Sequence, residues 1–251
     1  MEENKNETPS GEIKIKEPLG KRLENFWYHY KWHSIIAAFL VVTVLICSLQ
    51  MCRREKFDTY VLYAGSKTLS RGTDEDGMSE YMRIVSSLCR VAEDYDDDGE
   101  VAVSLLNYLS MTREEIEAAK ENLKEGEELN LIYGDSENLR HTLLYSEYYV
   151  CFLSVGVFEQ YKEYHGVPLF VPLADYTRAD RVYDYYSDSA IRLSSPALER
   201  FRALPGICDL DAEDTLICLR AKSELAQGFG SEKNSKNYAR AVEVIRNILA
   251  Y

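Results

Sequence analysis

From Ser34 to Met51 the chain reads SIIAAFLVVTVLICSLQM, a run of 18 residues without a charge. The run is apolar all round rather than on one face, so it predicts a helix surrounded by lipid and not a helix laid on a core. About 18 residues is the lower limit for crossing the hydrocarbon layer. Every backbone N–H and C=O there must be bonded within the segment, which a helix achieves. From residue 57 onward the pattern changes to short runs of two different periods.

Runs rich in β-branched and aromatic residues predict strands at Asp58–Gly65 (DTYVLYAG), Glu100–Leu109 (EVAVSLLNYL), Leu129–Tyr133 (LNLIY), Tyr148–Leu153 (YYVCFL), Ala190–Leu193 and Asp214–Ala221 (DTLICLRA). Between them, helical spacing appears. Met82, Val85, Leu88, Cys89 and Ala92 share one face of a helix predicted over Met78–Tyr95. Thr112-Arg113-Glu114-Glu115 is a capping box opening a helix to Leu123. Gly134-Asp135-Ser136 opens another through Leu144, and Val155–Tyr164 reads as a fourth. Pro196 suits the first turn of a helix to Ala203, and an amphipathic helix runs from Ser235 to Leu249. Loops fall at Ser66–Gly77, with Asp74-Glu75-Asp76-Gly77, and at Lys124–Glu128, turning at Gly126. Pro168 and Pro172 make Val167–Leu173 an edge or extended segment. Strands alternating with helices predict an α/β domain with a mainly parallel sheet covered on both faces. The expected organisation is therefore a tail with a juxtamembrane belt over residues 1–33, a transmembrane helix over 34–51 and an α/β domain over 57–251.

The flanks of the apolar run support an anchor. Phe26, Trp27, Tyr28, Tyr30 and Trp32 precede it and form an aromatic belt suited to the headgroup level. Arg53, Arg54 and Lys56 follow it and can snorkel. A cleaved signal peptide fits poorly, because more than 30 residues containing six Glu precede the run and no A-x-A-like site follows. Neither Cys47 nor Cys52 is preceded by the small residues of a lipidation site. Basic residues near the run balance on its two sides, with Lys14, Lys16, Lys21, Arg22 and Lys31 against Arg53, Arg54, Lys56, Lys67 and Arg71. The short tail favours tail inside and domain outside, an extracytoplasmic placement.

Charge narrows the function classes. Residues 1–56 hold nine Lys/Arg against seven Asp/Glu, so +2, which leaves −15 of the total −13 on residues 57–251. Nucleic-acid binding needs a basic footprint, which this domain lacks. The six cysteines form no C-x-x-C pair and suggest no zinc site. Cys89, Cys151 and Cys218 sit in apolar runs as small hydrophobes, and Cys208 and Cys218 flank a turn where an exported domain can pair them. No cofactor motif is present.

Asp94-Tyr95-Asp96-Asp97-Asp98-Gly99-Glu100 follows the first half of a calcium loop, in which alternate carboxylates converge on a hard cation. The metal candidates are Asp94, Asp96, Asp98 and Glu100. Against them, position twelve from Asp94 is Leu105 rather than a bidentate Glu, and a strand follows instead of a helix. His141 and His165 are the histidines outside the belt region, and no G-x-S-x-G elbow accompanies them. Nine of the 19 tyrosines lie between Tyr145 and Tyr186, where they either line a groove or pack at the core.

Phe26-Trp27-Tyr28-His29-Tyr30-Lys31-Trp32-His33, running into the apolar helix, resembles a juxtamembrane motif of uncharacterised single-pass membrane proteins from clostridial gut anaerobes. The stretch Asp58–Tyr108, followed by Leu129–Asp135, is similar to their extracytoplasmic domains and broadly to the first lobe of type 2 periplasmic solute-binding proteins. Two full lobes are usual in that second group, and 57–251 is short for them. The resemblance implies topology and fold. Three functions remain open: a non-enzymatic, membrane-anchored binding or interaction domain; an assembly partner in an envelope complex; and an extracytoplasmic hydrolase. A cleft separates them.

Overall fold

The computed structural model describes residues 19–52, 57–73, 77–119, 127–222 and 231–251. The expected features at residues 1–18, at Arg53, Arg54 and Lys56, at Asp74–Asp76 and at Gly126 lie outside them. Contacts divide the chain between Glu55 and Lys56.

The first unit is one helix, α1, Leu19–Cys52, of 34 residues. At about 1.5 Å per residue it reaches roughly 50 Å, more than a hydrocarbon layer of about 30 Å. Its apolar window, Trp27–Ser48, has no buried part. α1 is therefore long and apolar enough to cross a membrane.

The second unit starts with strand β1 (Thr59–Gly65), helix α2 (Glu80–Leu88) and strand β2 (Val103–Leu109). Helices α3 (Arg113–Ala119) and α4 (Glu127–Tyr145) lead to β3 (Val150–Ser154) and α5 (Val155–Tyr161). A small hairpin, β4 (Glu163–Tyr164) and β5 (Val167–Pro168), precedes β6 (Tyr185–Ser187) and β7 (Ala190–Arg192). Helix α6 (Glu199–Arg202), β8 (Thr215–Leu219) and α7 (Ser231–Ala250) complete it. The chain is thus α/β, with a six-stranded sheet in the order β2-β1-β3-β8-β7-β6.

Three expectations need correction. The sheet is mixed: β1 pairs in parallel with β2 and β3, whereas β8 is antiparallel to β3 and β7, and β6 is antiparallel to β7. Apolar runs such as VCFLS read as buried strands without declaring their direction. The strand expected at Leu129–Tyr133 is instead part of α4. A five-residue apolar run is ambiguous in period, and here it continues into Leu139 and Leu143, buried one turn apart on the same helix face. Helix α2 also ends earlier than Tyr95, at Leu88.

Local rules explain several boundaries. Ser79 N-caps α2, its side chain accepting from the Met82 N–H at 3.2 Å. Thr112 and Glu115 form the reciprocal capping box of α3: the Thr112 N–H donates to Glu115 Oε2 at 2.6 Å and the Glu115 N–H to Thr112 Oγ1 at 3.2 Å. Between α6 and β8, Gly206 has φ +78°, and a Cβ there would fall 2.6 Å from the Ile84 backbone N. Only glycine lets this turn approach α2 so closely.

The handedness of crossovers sets the layers. The step from β1 to β2 and the step from β2 back across β1 to β3 run in opposite directions. Right-handed connections then place their helices on opposite faces. Ile84 and Leu88 of α2 join Val61, Phe152 and Ile217 in one core, together with Val244, Ile245 and Ile248 of α7. Leu139 and Leu143 of α4 join Leu62, Cys151, Leu153 and Cys218 in the other, together with Val157 and Phe158 of α5.

Candidate functional site

In an open sheet wound this way, the chain leaves neighbouring strands toward opposite sides, and a crevice opens beyond their carboxyl ends. Here that point lies between β1 and β3. A cavity of about 60 Å³ is found there, with Gly65, Ser154 and Thr215 at its sheet end. Tyr63, Glu80 and Asp214 also line it.

Each wall has a local cause. Gly65 ends β1, and a Cβ on it would sit 3.1 Å from the Tyr63 hydroxyl, so glycine makes room for the phenol. Ser154 ends β3 and N-caps α5, accepting from the Val157 N–H at 3.4 Å. Thr215 opens β8 directly opposite Ser154. Their register places both on the face that carries Phe152 and Ile217. Glu80 sits in the first turn of α2, where the helix dipole favours a carboxylate, and its Oε2 accepts the Ser70 N–H at 3.0 Å.

The segment leading into β8 supplies three more carboxylates, Asp209, Asp211 and Asp214. Asp211 Oδ1 accepts from the backbone N–H groups of Glu213 and Asp214 at 3.1 and 3.3 Å. Asp214 receives the Val155 N–H on its carbonyl at 2.9 Å and on Oδ1 at 3.2 Å, tying the strand entry to the α5 N-terminus. Asp209 lies 3.6 Å from Arg83. Lys67 is the cation in the lining.

Four carboxylates against that one lysine leave the crevice electronegative. Burial pushes the Tyr63 phenol up to about 12, with Glu80, Asp214 and Asp211 adding to the effect. Burial also raises Asp214, reinforced by Asp211 and Glu115 and opposed by the Val155 N–H and Arg192. Neutral hydroxyls and partly compensated carboxylates can accept hydrogen bonds from a cationic or neutral donor. No histidine or cysteine lines the cavity.

The residues expected from sequence lie elsewhere. The oxygens of Asp94 and Asp96 come within 4.8 Å of each other and of Asp58, a partner the sequence did not suggest, while Asp98 and Glu100 are not part of that group. Asp58, 3% exposed, receives the Tyr95 and Ala102 N–H groups at 2.8 and 2.9 Å, one on each oxygen. Asp94 receives the Asp98 and Gly99 N–H groups at 3.3 and 2.7 Å. Asp98 Oδ1 receives the Glu100 N–H at 3.0 Å. Gly99, at φ +89°, and Asp97, at φ 57°, turn the chain. These carboxylates close a turn through their own backbone.

Trp27, Tyr28, Tyr30 and Trp32 are exposed on α1. Phe26 lies in α1, with its side chain outside the described set. Cys208 and Cys218 do not pair: Cys208 is exposed, and Cys218 is fully buried opposite Cys151. The His141 ring lies tilted beside Tyr145, and His165 meets Tyr164 edge to face. Of the nine clustered tyrosines none lines the crevice. Several have structural partners, such as Tyr148 on Ser104 at 2.9 Å, Tyr183 on the Leu249 carbonyl at 2.8 Å and Tyr186 on Glu159 at 3.0 Å.

No protein-family model, no curated protein and no solved structure matches the chain. The site's geometry is therefore the basis for a functional reading.

Proposed function

We propose that the chain is a membrane-anchored, non-enzymatic binding module. In this reading α1 crosses the membrane once, the α/β domain lies outside the cytoplasm, and the ligand seat is the crevice at the carboxyl ends of β1 and β3. The observation that carries it is that crevice, placed where doubly wound sheets bind ligands and furnished with hydroxyls and carboxylates. The order β2-β1-β3, followed by the antiparallel β8, supports a likeness to one lobe of a type 2 solute-binding protein. A single lobe offers half a cleft, which suits a cavity of about 60 Å³ rather than the roughly 300–1,000 Å³ of an enclosing ligand pocket. The arrangement of Tyr63, Ser154, Thr215 and the carboxylates holds no base poised against a nucleophile, which disfavours the hydrolase reading.

The test is a thermal-shift screen of the full chain in detergent micelles against sugars, amino acids, peptides, amines and divalent ions. A compound that stabilises the parent and loses its effect in Thr215→Val supports the module. Stabilisation by no compound, or by compounds indifferent to every crevice substitution, overturns it. Protease digestion of the 57–251 region on intact cells tests the orientation, and full protection without lysis refutes it.

A further inference from the structure

Thr215 is 4% exposed and lines the crevice, and no protein group among the described residues hydrogen-bonds its hydroxyl. The hydroxyl faces the crevice rather than being sealed in the core, so it is free to meet a bound group. Its register puts it beside Ser154, on the sheet face that also bears Tyr63. The groups converging around it are acceptors in excess: Glu80, Asp211 and Asp214, with the Tyr63 phenol.

We propose that this crevice receives the primary ammonium group of a small amine, held by the Thr215 hydroxyl together with Glu80, Asp211 and Asp214. The inference rests on the binding-module reading and names its ligand class. Size, charge and spacing select this group. At about 60 Å³ the cavity is far smaller than an enclosing ligand pocket of roughly 300–1,000 Å³, which suits a head group rather than a whole ligand. Glu80, Asp211 and Asp214 against Lys67, with Asp209 beside Arg83, disfavour an anionic head.

A compact metal ion is disfavoured by spacing. Among the described residues, only Asp58, Asp94 and Asp96 bring three ligand oxygens within 4.8 Å of one another, and they lie outside the crevice. An ammonium group instead offers three N–H donors that spread to separate acceptors. Burial is the main cause of the raised Tyr63 and Asp214, and the neighbouring carboxylates add to it, as expected of a half-closed acidic site.

The experiment is isothermal titration of the full chain in detergent micelles with putrescine. Its uncharged analogue 1,4-butanediol, the dicarboxylate succinate and Ca²⁺ serve as the other arms. The variants are Thr215→Val and the double variant Asp211→Asn with Asp214→Asn. Asparagine keeps the Oδ1 acceptors for the Glu213, Asp214 and Val155 N–H groups, so the double variant should melt like the parent.

Expected is putrescine binding, weakened about tenfold or more by the double variant and severalfold by Thr215→Val, with no heat from the diol. Putrescine binding that ignores both variants overturns the assignment. So does Ca²⁺ binding lost in the double variant without any amine binding. Diol or succinate binding that Thr215→Val abolishes, with no putrescine heat, overturns the ammonium assignment alone and leaves the binding module standing. Silence from every arm, together with an empty thermal-shift screen, removes both.

Discussion

Arg220, at 1% exposure, is the largest fully buried side chain among the described residues, and it holds the sheet to α4. It follows β8, and its N–H donates to the Tyr149 carbonyl at 2.8 Å. Its guanidinium donates from Nη1 to the Leu143 carbonyl at 3.0 Å, from Nε to the Tyr148 carbonyl at 3.1 Å, and from Nη2 to the Ser146 carbonyl. Its centre lies 4.5 Å from the Tyr149 ring centroid. Carbonyls at a helix C-terminus lack intrahelical partners and carry the negative end of the helix dipole. Arg220 is therefore a tertiary C-cap for α4, its positive charge met by peptide dipoles. Burial lowers its pKa, yet an arginine stays charged.

Arg220→Met keeps much of the apolar volume and deletes every side-chain donor. Three carbonyls then lose their partner, at about 1–3 kcal/mol for each that stays dry. Partial hydration near Ser146 limits the total to about 3–5 kcal/mol, as for other broken buried charge sites. At about 2–4 °C per kcal/mol for a domain of this size, Tm falls by roughly 6–20 °C. Arg220→Lys retains charge but not the planar fork, and should recover only part of the loss. Calorimetry of the full chain gives Tm, and hydrogen exchange at the Ser146 amide, which bonds the Thr142 carbonyl at 3.1 Å, reports local opening of the α4 end. A loss below about 1 kcal/mol in Arg220→Met, with unchanged exchange at Ser146, would refute the capping argument.

Gly206→Ala should lower stability by about 2–3 kcal/mol, read by calorimetry, because φ +78° and the approach to Ile84 N both forbid a Cβ; an unchanged Tm would mean the turn can retreat from α2. Burial pushes the Cys151 thiol up to about 12 and Cys218 well above its ordinary value, so in the native protein iodoacetamide should label Cys208 and spare both. Labelling of Cys151 at the rate of Cys208, measured by peptide mass spectrometry, contradicts that burial. Tyr63, at about 12 when folded against an ordinary value of 10, keeps its proton while the unfolded chain loses it, so stability falls as pH rises between those values. Tyr63→Phe should remove about 1–3 kcal/mol of that alkaline loss in denaturation curves, and an identical pH slope in both proteins would count against the shift. Millimolar Ca²⁺ should leave Tm unchanged, because the Asp58 and Asp94 oxygens are already taken by four backbone N–H groups; a rise abolished by Asp96→Asn would reverse this.

What the sequence reveals of the fold follows from which interactions are local. The Thr112–Glu115 box is legible because both its hydrogen bonds span three residues. β1, β2 and β3 are legible as short runs rich in β-branched, aromatic and other apolar residues, β3 being buried at every position. LNLIY fails as a strand because its apolar run is too short to fix a period, and the longer spacing through Leu139 and Leu143 decides for helix. The antiparallel direction of β8 escapes as well, since TLICL is buried at every position and looks alike from either end. The Asp94–Glu100 stretch was legible as a turn, and its carboxylates are used for turning the chain; Asp58, which braces that turn from the start of β1, is 37 residues away from Tyr95 and invisible to any local pattern.

The crevice escapes for a related reason, and its composition argues that it is more than a packing gap. Tyr63, Glu80, Ser154, Asp211 and Thr215 come from separate segments and carry no shared motif. They meet because right-handed crossovers on opposite faces force the chain apart beyond β1 and β3. A mere gap there would be relieved by apolar side chains, as it is along the rest of the same face by Val61, Phe152 and Ile217. Instead that face changes character at its carboxyl end to Tyr63, Ser154 and Thr215, and the adjoining loop adds carboxylates, of which Asp214 is raised by burial and, to a lesser degree, by Asp211. Like charges held together oppose folding. The Asp211 side chain accepts two backbone N–H groups and that of Asp214 one, all at Oδ1, where an asparagine oxygen can also accept. The charge strengthens those hydrogen bonds but is not neutralised by them, which is why the proposed ligand group is a cation.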